Sequence, residues 1–127
     1  MTPSIRVLVV DEDRDVRELT STFLQRADDE FAVDTAESGA EALDHLSAAD
    51  YDAVVSDLRM PGMDGLELAE AIEERDLDPA FVLFTAADDP GTSEAVDAAD
   101  VDGFVLKGSG TDHYDDIAAT IRETLDR

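Results

Sequence analysis

Four places in this chain put a reactive side chain directly after an apolar run. Ile5–Val10 leads into Asp11, Glu12 and Asp13, Ala53–Ser56 leads into Asp57, the run 81–84 into Thr85, and the run 104–106 into Lys107. Three carboxylates brought to one point repel unless a counter-charge relieves them, and a hard divalent cation such as Mg2+ prefers carboxylate, carbonyl and water oxygens. A carboxylate beside such a cation can attack a phosphoryl donor, and the acyl phosphate it forms needs partners for about two negative charges. The Lys107 ammonium and the Thr85 hydroxyl are groups that supply them.

For these groups to meet, their strands must lie side by side. Strands are expected near 5–10, 31–36, 53–57, 81–85 and 103–106. The first is almost continuously apolar, as befits a central strand covered on both faces, whereas 31–36 alternates and is less buried. Val16, Leu19, Thr20, Phe23 and Leu24 then recur at helical spacing up to about Arg26. Ser38 and Glu41 have the form of a capping box ahead of Ala42, Leu43 and Leu46. Asp64 and Glu67 open another helix, with Leu68, Ala69 and Ile72 on one face, fading near Arg75. A weak helix is expected over 93–99, where only alanines and Val96 can be buried, and a last one carries Tyr114, Ile117, Ala118, Ile121 and Leu125.

Five strands alternating with five helices imply an α/β fold: a doubly wound five-stranded parallel sheet with right-handed crossovers. Strand order 2-1-3-4-5 suits that count, and it makes strands one and three neighbours at the switch point. Asp11, Glu12 and Asp57 are then expected to converge there.

The composition narrows the class further. A chain of 127 residues with 43% hydrophobic residues and no cysteine reads as one domain, 1–127, without disulfides or thiolate metal sites. Its net charge of -24 argues against nucleic acid as a direct partner, because phosphate backbones are held by clustered Lys and Arg. Lys107 is the only lysine. Dispersed acidity of this strength suggests a surface adapted to high salt, where self-repulsion is screened. No run is long enough to cross a bilayer and no signal-peptide pattern opens the chain, so a cytoplasmic location without membrane association is expected.

The strand positions, the acidic pair Asp11-Glu12, the segment SDLRMPGMDG at 56–65, Thr85 and Lys107 stand in an order that resembles the receiver domain of two-component response regulators, over essentially the whole chain. The 2-1-3-4-5 order is itself the order of a chemotaxis receiver, so order and resemblance are not independent. The resemblance implies the flavodoxin-like receiver fold with Asp57 as phosphoacceptor, charged by the phosphohistidine of a histidine kinase or phosphotransfer protein. It implies Mg2+ held by Asp11 or Glu12, directly or through water, with Asp57 and the main-chain carbonyl of Arg59. It also implies a switch in which Phe104 turns inward as Thr85 is drawn to the phosphate. The output surface is then the fourth helix, the fifth strand and the last helix, which could also form a homodimer; the downstream target or output domain stays unnamed. Self-phosphorylation and slow self-dephosphorylation are the only reactions expected, so the protein is not read as an enzyme.

Two departures from the family pattern stand out. Glu12 occupies a position that often carries a second Asp, which lengthens the reach by one methylene. Gly108 follows Lys107 where a proline in a cis peptide is usual; a non-proline cis bond costs about 2.5–4 kcal/mol, so a trans bond is expected. Two rival readings compete. One is a receiver fold that acts only as a docking or dimerisation module, without phosphate. The other is an aspartate-nucleophile phosphohydrolase using Asp11 and Asp13, disfavoured by Asp15 and by the lack of a cap domain. His45 and His113 read as solvent-exposed, and Asp88 and Asp89 as solvated loop residues.

Overall fold

The computed structural model of the protein describes residues 5–85, 101–106 and 112–126. Within them lie strands β1 (Ile5–Val10), β2 (Phe31–Ala36), β3 (Ala53–Ser56), β4 (Ala80–Thr85) and β5 (Gly103–Leu106), with helices α1 (Arg14–Ala27), α2 (Gly39–Ala48), α3 (Gly65–Glu74) and a C-terminal helix, here α4 (Asp112–Leu125). All strand pairs are parallel and the order is β2-β1-β3-β4-β5, as expected. The helix expected over 93–99, Asp88, Asp89, Lys107 and the peptide between Lys107 and Gly108 lie outside the described residues.

Strand alternation sends side chains to two cores. Val7, Val9, Ala53, Val55, Val82 and Phe84 face α1 and α4, whose Leu24, Ile117 and Ile121 are buried against them. Leu8, Val10, Val54, Phe81 and Leu83 face α2 and α3, packing on Leu43, Leu46, Leu68 and Ile72. Every residue of β3 and β4 is buried. Continuous apolar strands are the consequence of covering both faces.

Local chemistry sets where the helices begin and end. Asp13 caps α1, its carboxylate accepting from the amides of Asp15 at 2.9 Å and Val16 at 3.3 Å. Asp64 and Glu67 form the full reciprocal box that opens α3. At α2 only half of the expected box is made. Ser38 Oγ accepts from the Glu41 amide at 3.1 Å, but the Glu41 carboxylate lies along the helix beside His45 Nε2. Helix α3 closes with Asp76 at φ 59 and with amides of Asp76 and Leu77 returning to the carbonyls of Glu73 and Ile72. This is a Schellman ending with aspartate where glycine is usual.

Three apolar or ring residues sit differently from their expected places. Leu19 is 50% exposed and Leu125 37% exposed. Thr20 and Leu24 carry the buried stripe of α1, and Leu19, one residue earlier, is rotated about 100° from Thr20. Leu125 ends the last helix, past the turn that reaches the sheet. His113 is half-buried instead of exposed, its ring 5.2 Å from that of Phe84 and 4.2 Å from that of Tyr114.

Two ion-pair clusters tie distant segments together. Arg122 of α4 donates to both carboxylate oxygens of Asp28, at 2.6 and 3.0 Å, and lies 3.1 Å from Glu30. That bidentate contact holds the Asp28 carboxyl below its ordinary range and keeps the guanidinium firmly protonated. At Asp34 on the edge strand β2, Tyr51 Oη donates to the carboxylate at 2.7 Å while Arg6 of β1 pairs with it at 3.1 Å and lies over the Tyr51 ring. The phenol's hydrogen bond, then the guanidinium, lower the Asp34 carboxyl. Burial first, then the neighbouring carboxylate, push the Tyr51 phenol up to about 12.

Candidate functional site

The site is built at the carboxyl ends of β1 and β3. Val10 and Ser56 are register partners, so Asp11 and Asp57 are the next residues on neighbouring strands. The ladder continues one step beyond each strand. The Asp57 amide donates to the Val10 carbonyl at 2.9 Å, and the Asp11 amide donates to Ala36 at 3.1 Å. Adjacent strand backbones run about 4.8 Å apart, so the two aspartates are close neighbours at the strand ends. Asp11 is 3% exposed, and Asp57 is half-buried.

Among the described residues, no group of three or more Asp, Glu, His or Cys side chains is gathered to hold a metal. The turn that starts α1 gives the two members of the acidic pair different surroundings. Asp11 Oδ1 accepts from the Asp13 amide at 2.9 Å, the Asp11 carbonyl accepts from Arg17 at 2.9 Å, and Glu12 is left exposed between them. What remains is the neighbouring pair Asp11 and Asp57 with the carbonyls of the loop that follows. That donor set is all oxygen, which fits a hard divalent cation with water completing its shell.

The loop after Asp57 is clamped from three sides. Ser56, fully buried, donates from Oγ to the Asp57 carbonyl at 2.8 Å. The Gly65 amide donates to the Leu58 carbonyl at 2.9 Å, and a Cβ on Gly65 would stand 2.5 Å from the Asp57 carbonyl oxygen. Leu58 and Met60 are buried in the core against α2 and α3. Gly62 takes φ 80, and Met63 lies so close to Gly39 that a Cβ there would meet its sulfur at 2.8 Å. Arg59 is exposed on this loop. Ser56 and Gly65 were not recognised from sequence. The available signal was a glycine in the first turn of a helix, where it costs stability unless something packs against it.

Thr85 is 1% exposed and ends β4 opposite Leu106. It continues the alternation of Phe81 and Leu83, the face covered by α2 and α3. Phe104 pairs with Leu83 and is half-buried against that same core. Thr85 and Phe104 therefore share one face of the sheet on adjacent strands, two residues apart in register. Lys107, the last expected site residue, lies outside the described residues.

A doubly wound parallel sheet with its carboxylates at the switch point between β1 and β3 defines an α/β protein whose site is the crevice beyond those strands. The model of the response regulator receiver domain matches residues 7–119, and the chain belongs to that family, the phosphoacceptor modules of two-component signalling. It is 35% identical over 113 residues to the transcriptional regulatory protein ResD of Bacillus subtilis, covering 89% of this chain and 42% of that protein. It is 39% identical over 85 residues to the response regulator MprA of Mycobacterium tuberculosis, covering 67% of this chain and 36% of the relative. It thus spans well under half the length of these curated relatives. Among solved structures, the chemotaxis protein CheY4 of Vibrio cholerae superposes with a TM-score of 0.77 at 28% identity, over 97% of both chains. The response regulator TrrA of Thermotoga maritima, solved in complex with Mg2+ and BeF, gives 0.78 at 34% identity, over 93% of this chain and 99% of that one. Histidine kinases or phosphotransfer proteins are the general partners of such domains. Among the described residues no helix is long and apolar enough to cross a membrane.

Proposed function

We propose that Asp57 is the phosphoacceptor of this receiver and that 1–127 works as one module. A carboxylate oxygen of Asp57 attacks phosphorus, the bond from phosphorus to the donor imidazole nitrogen breaks, and that nitrogen keeps the electron pair and takes up a proton. The observation that carries this reading is the ladder bond from the Asp57 amide to Val10, which sets Asp57 beside Asp11 at the strand ends. Asp11, Asp57 and the Arg59 carbonyl would hold Mg2+, with exposed Glu12 reaching it through water. When bound, the cation offsets charge building on the transferring oxygens.

Thr85 donates to one phosphoryl oxygen and Lys107 pairs with another. Thr85 shares a face with Phe104, so drawing Thr85 to the phosphate shifts Phe104 on β5, and the face formed by β5, the C-terminal helix and the segment over 93–99 is the output surface. A second copy or a downstream partner is its occupant. The domain acts in the cytoplasm, and its charge of -24 suits a halophile's interior. It carries out no catalysis beyond its own phosphorylation and slow dephosphorylation.

The test is phosphate uptake from a small phosphoryl donor with Mg2+, read by intact-protein mass spectrometry. Asp57→Asn is expected to take up none. Full incorporation in that variant refutes the assignment, and absence of any amide shift near Asp57 on adding Mg2+ with beryllofluoride favours the phosphate-independent docking module.

A further inference from the structure

β5 is one of the two edge strands of the sheet, and a groove runs between its edge and the C-terminal helix. Phe104, Val105, Asp116, Ala119, Thr120 and Glu123 line it. The four helical residues fall at the spacing of a single helix face. Thr120 Oγ1 donates to the Asp116 carbonyl at 2.8 Å, so the hydroxyl is spent inside the helix and its methyl lies over Gly103. The groove floor is therefore apolar: Ala119, the Thr120 methyl and the half-buried Phe104.

Its two ends are acidic. Asp116 and Glu123 are exposed, and neither carboxylate has a hydrogen-bond or ion-pair partner among the described residues. Seven residues of helix separate them, which is about 10 Å along the axis. Arg122, the only Arg or Lys in α4, is committed to Asp28 and Glu30. The sequence from 86 to 106 adds six carboxylates and no Arg or Lys.

We infer that this groove docks a segment of another protein that carries two cationic side chains about 10 Å apart around an apolar one, and does not take a second copy of this chain. The inference rests on reading the β5 and α4 face as the output surface, and it specifies the partner chemistry. A two-fold dimer sets a patch against itself, so here carboxylates would face carboxylates, and among the described residues of β5 and α4 no uncommitted Arg or Lys matches them. A basic partner answers both ends of the groove and buries its apolar residue on Ala119 and Phe104.

The probe is a synthetic Ala/Leu helix with two Lys seven residues apart, titrated onto the domain and followed by amide shifts, at the lowest salt that keeps the domain folded. Before peptide is added, Mg2+ and beryllofluoride report on Asp57. No shift there counts against the phosphoacceptor reading alone, and the peptide titration on the unloaded domain still decides the groove. The expected result is shifts confined to β5 and α4, with affinity lowered about tenfold by Asp116→Asn with Glu123→Gln. The same charge change on α3, Glu70→Gln with Glu74→Gln, is expected to leave affinity within about twofold of wild type. An equal loss in the α3 variant, shifts centred elsewhere, or a loaded domain that sediments as a dimer with β5 and α4 amides at its interface overturns the inference.

Discussion

Replacing Gly65 with alanine probes the contact that seats the acceptor loop. A Cβ at that position would stand 2.5 Å from the Asp57 carbonyl oxygen, 2.8 Å from Leu83 Cδ2 and 3.1 Å from Leu58 Cα. Two of those neighbours are main-chain atoms that cannot rotate aside. Overpacking a well-filled site costs about 1–3 kcal/mol. Alanine regains about 0.5–1 kcal/mol over glycine within a helix. The net loss is up to about 2.5 kcal/mol, a fall in Tm of up to about 10 °C for a chain of this size. The displacement lands on Asp57 itself, and a shift of an ångström at a reacting group can cost about a hundredfold in rate. Thermal unfolding and the initial rate of phosphate uptake measure the two effects. Gly62→Ala is the control: it places alanine at φ 80 in open space, with a backbone cost of roughly 1–2 kcal/mol and no push on Asp57. Gly65→Ala with wild-type Tm and uptake refutes the reasoning, as does an equal loss of uptake in Gly62→Ala.

Two further predictions concern pH. The Asp28 carboxyl is held below its ordinary value of 3.8 by Arg122, so its contribution to stability is present above about pH 3.8 and is lost as pH falls through the lowered folded value. The Tm gap between wild type and Asp28→Asn should therefore shrink in acid below that point; a gap that stays constant there contradicts the pairing. Tyr51 behaves in the opposite sense. Its folded phenol keeps the proton up to about 12 whereas the unfolded one loses it near 10.0, so stability declines as pH rises through that window. Denaturant unfolding of Tyr51→Phe should lack that decline, and an unchanged slope rules out the Tyr51 contribution.

The elements themselves were legible because each rests on short-range chemistry. Apolar runs bounded by Asp, Gly and Pro placed all five strands, and the Asp64 and Glu67 pair forms the box its spacing implies. Side-chain orientation was less legible. Leu19 fits a helical repeat yet turns to solvent, because periodicity does not say where the stripe is centred. Glu41 turned to His45, and His113 turned to Phe84 and Tyr114, since each had a partner that local sequence does not rank.

At the site the division is sharper. Residue types alone determined that Asp11, Asp57 and Thr85 would each stand at the end of a buried strand, because alternation of apolar runs and turns is written in the chain. Only the tertiary structure decided that Asp57 hangs from Val10, that Glu12 faces water while Asp11 is buried, and that Gly65 leaves the room the Asp57 carbonyl needs. Those outcomes depend on register and close packing between segments far apart in sequence, which no local pattern encodes. Arg122 and Asp28, 94 positions apart, make the same point: the pair exists because α4 and the turn before β2 meet in space.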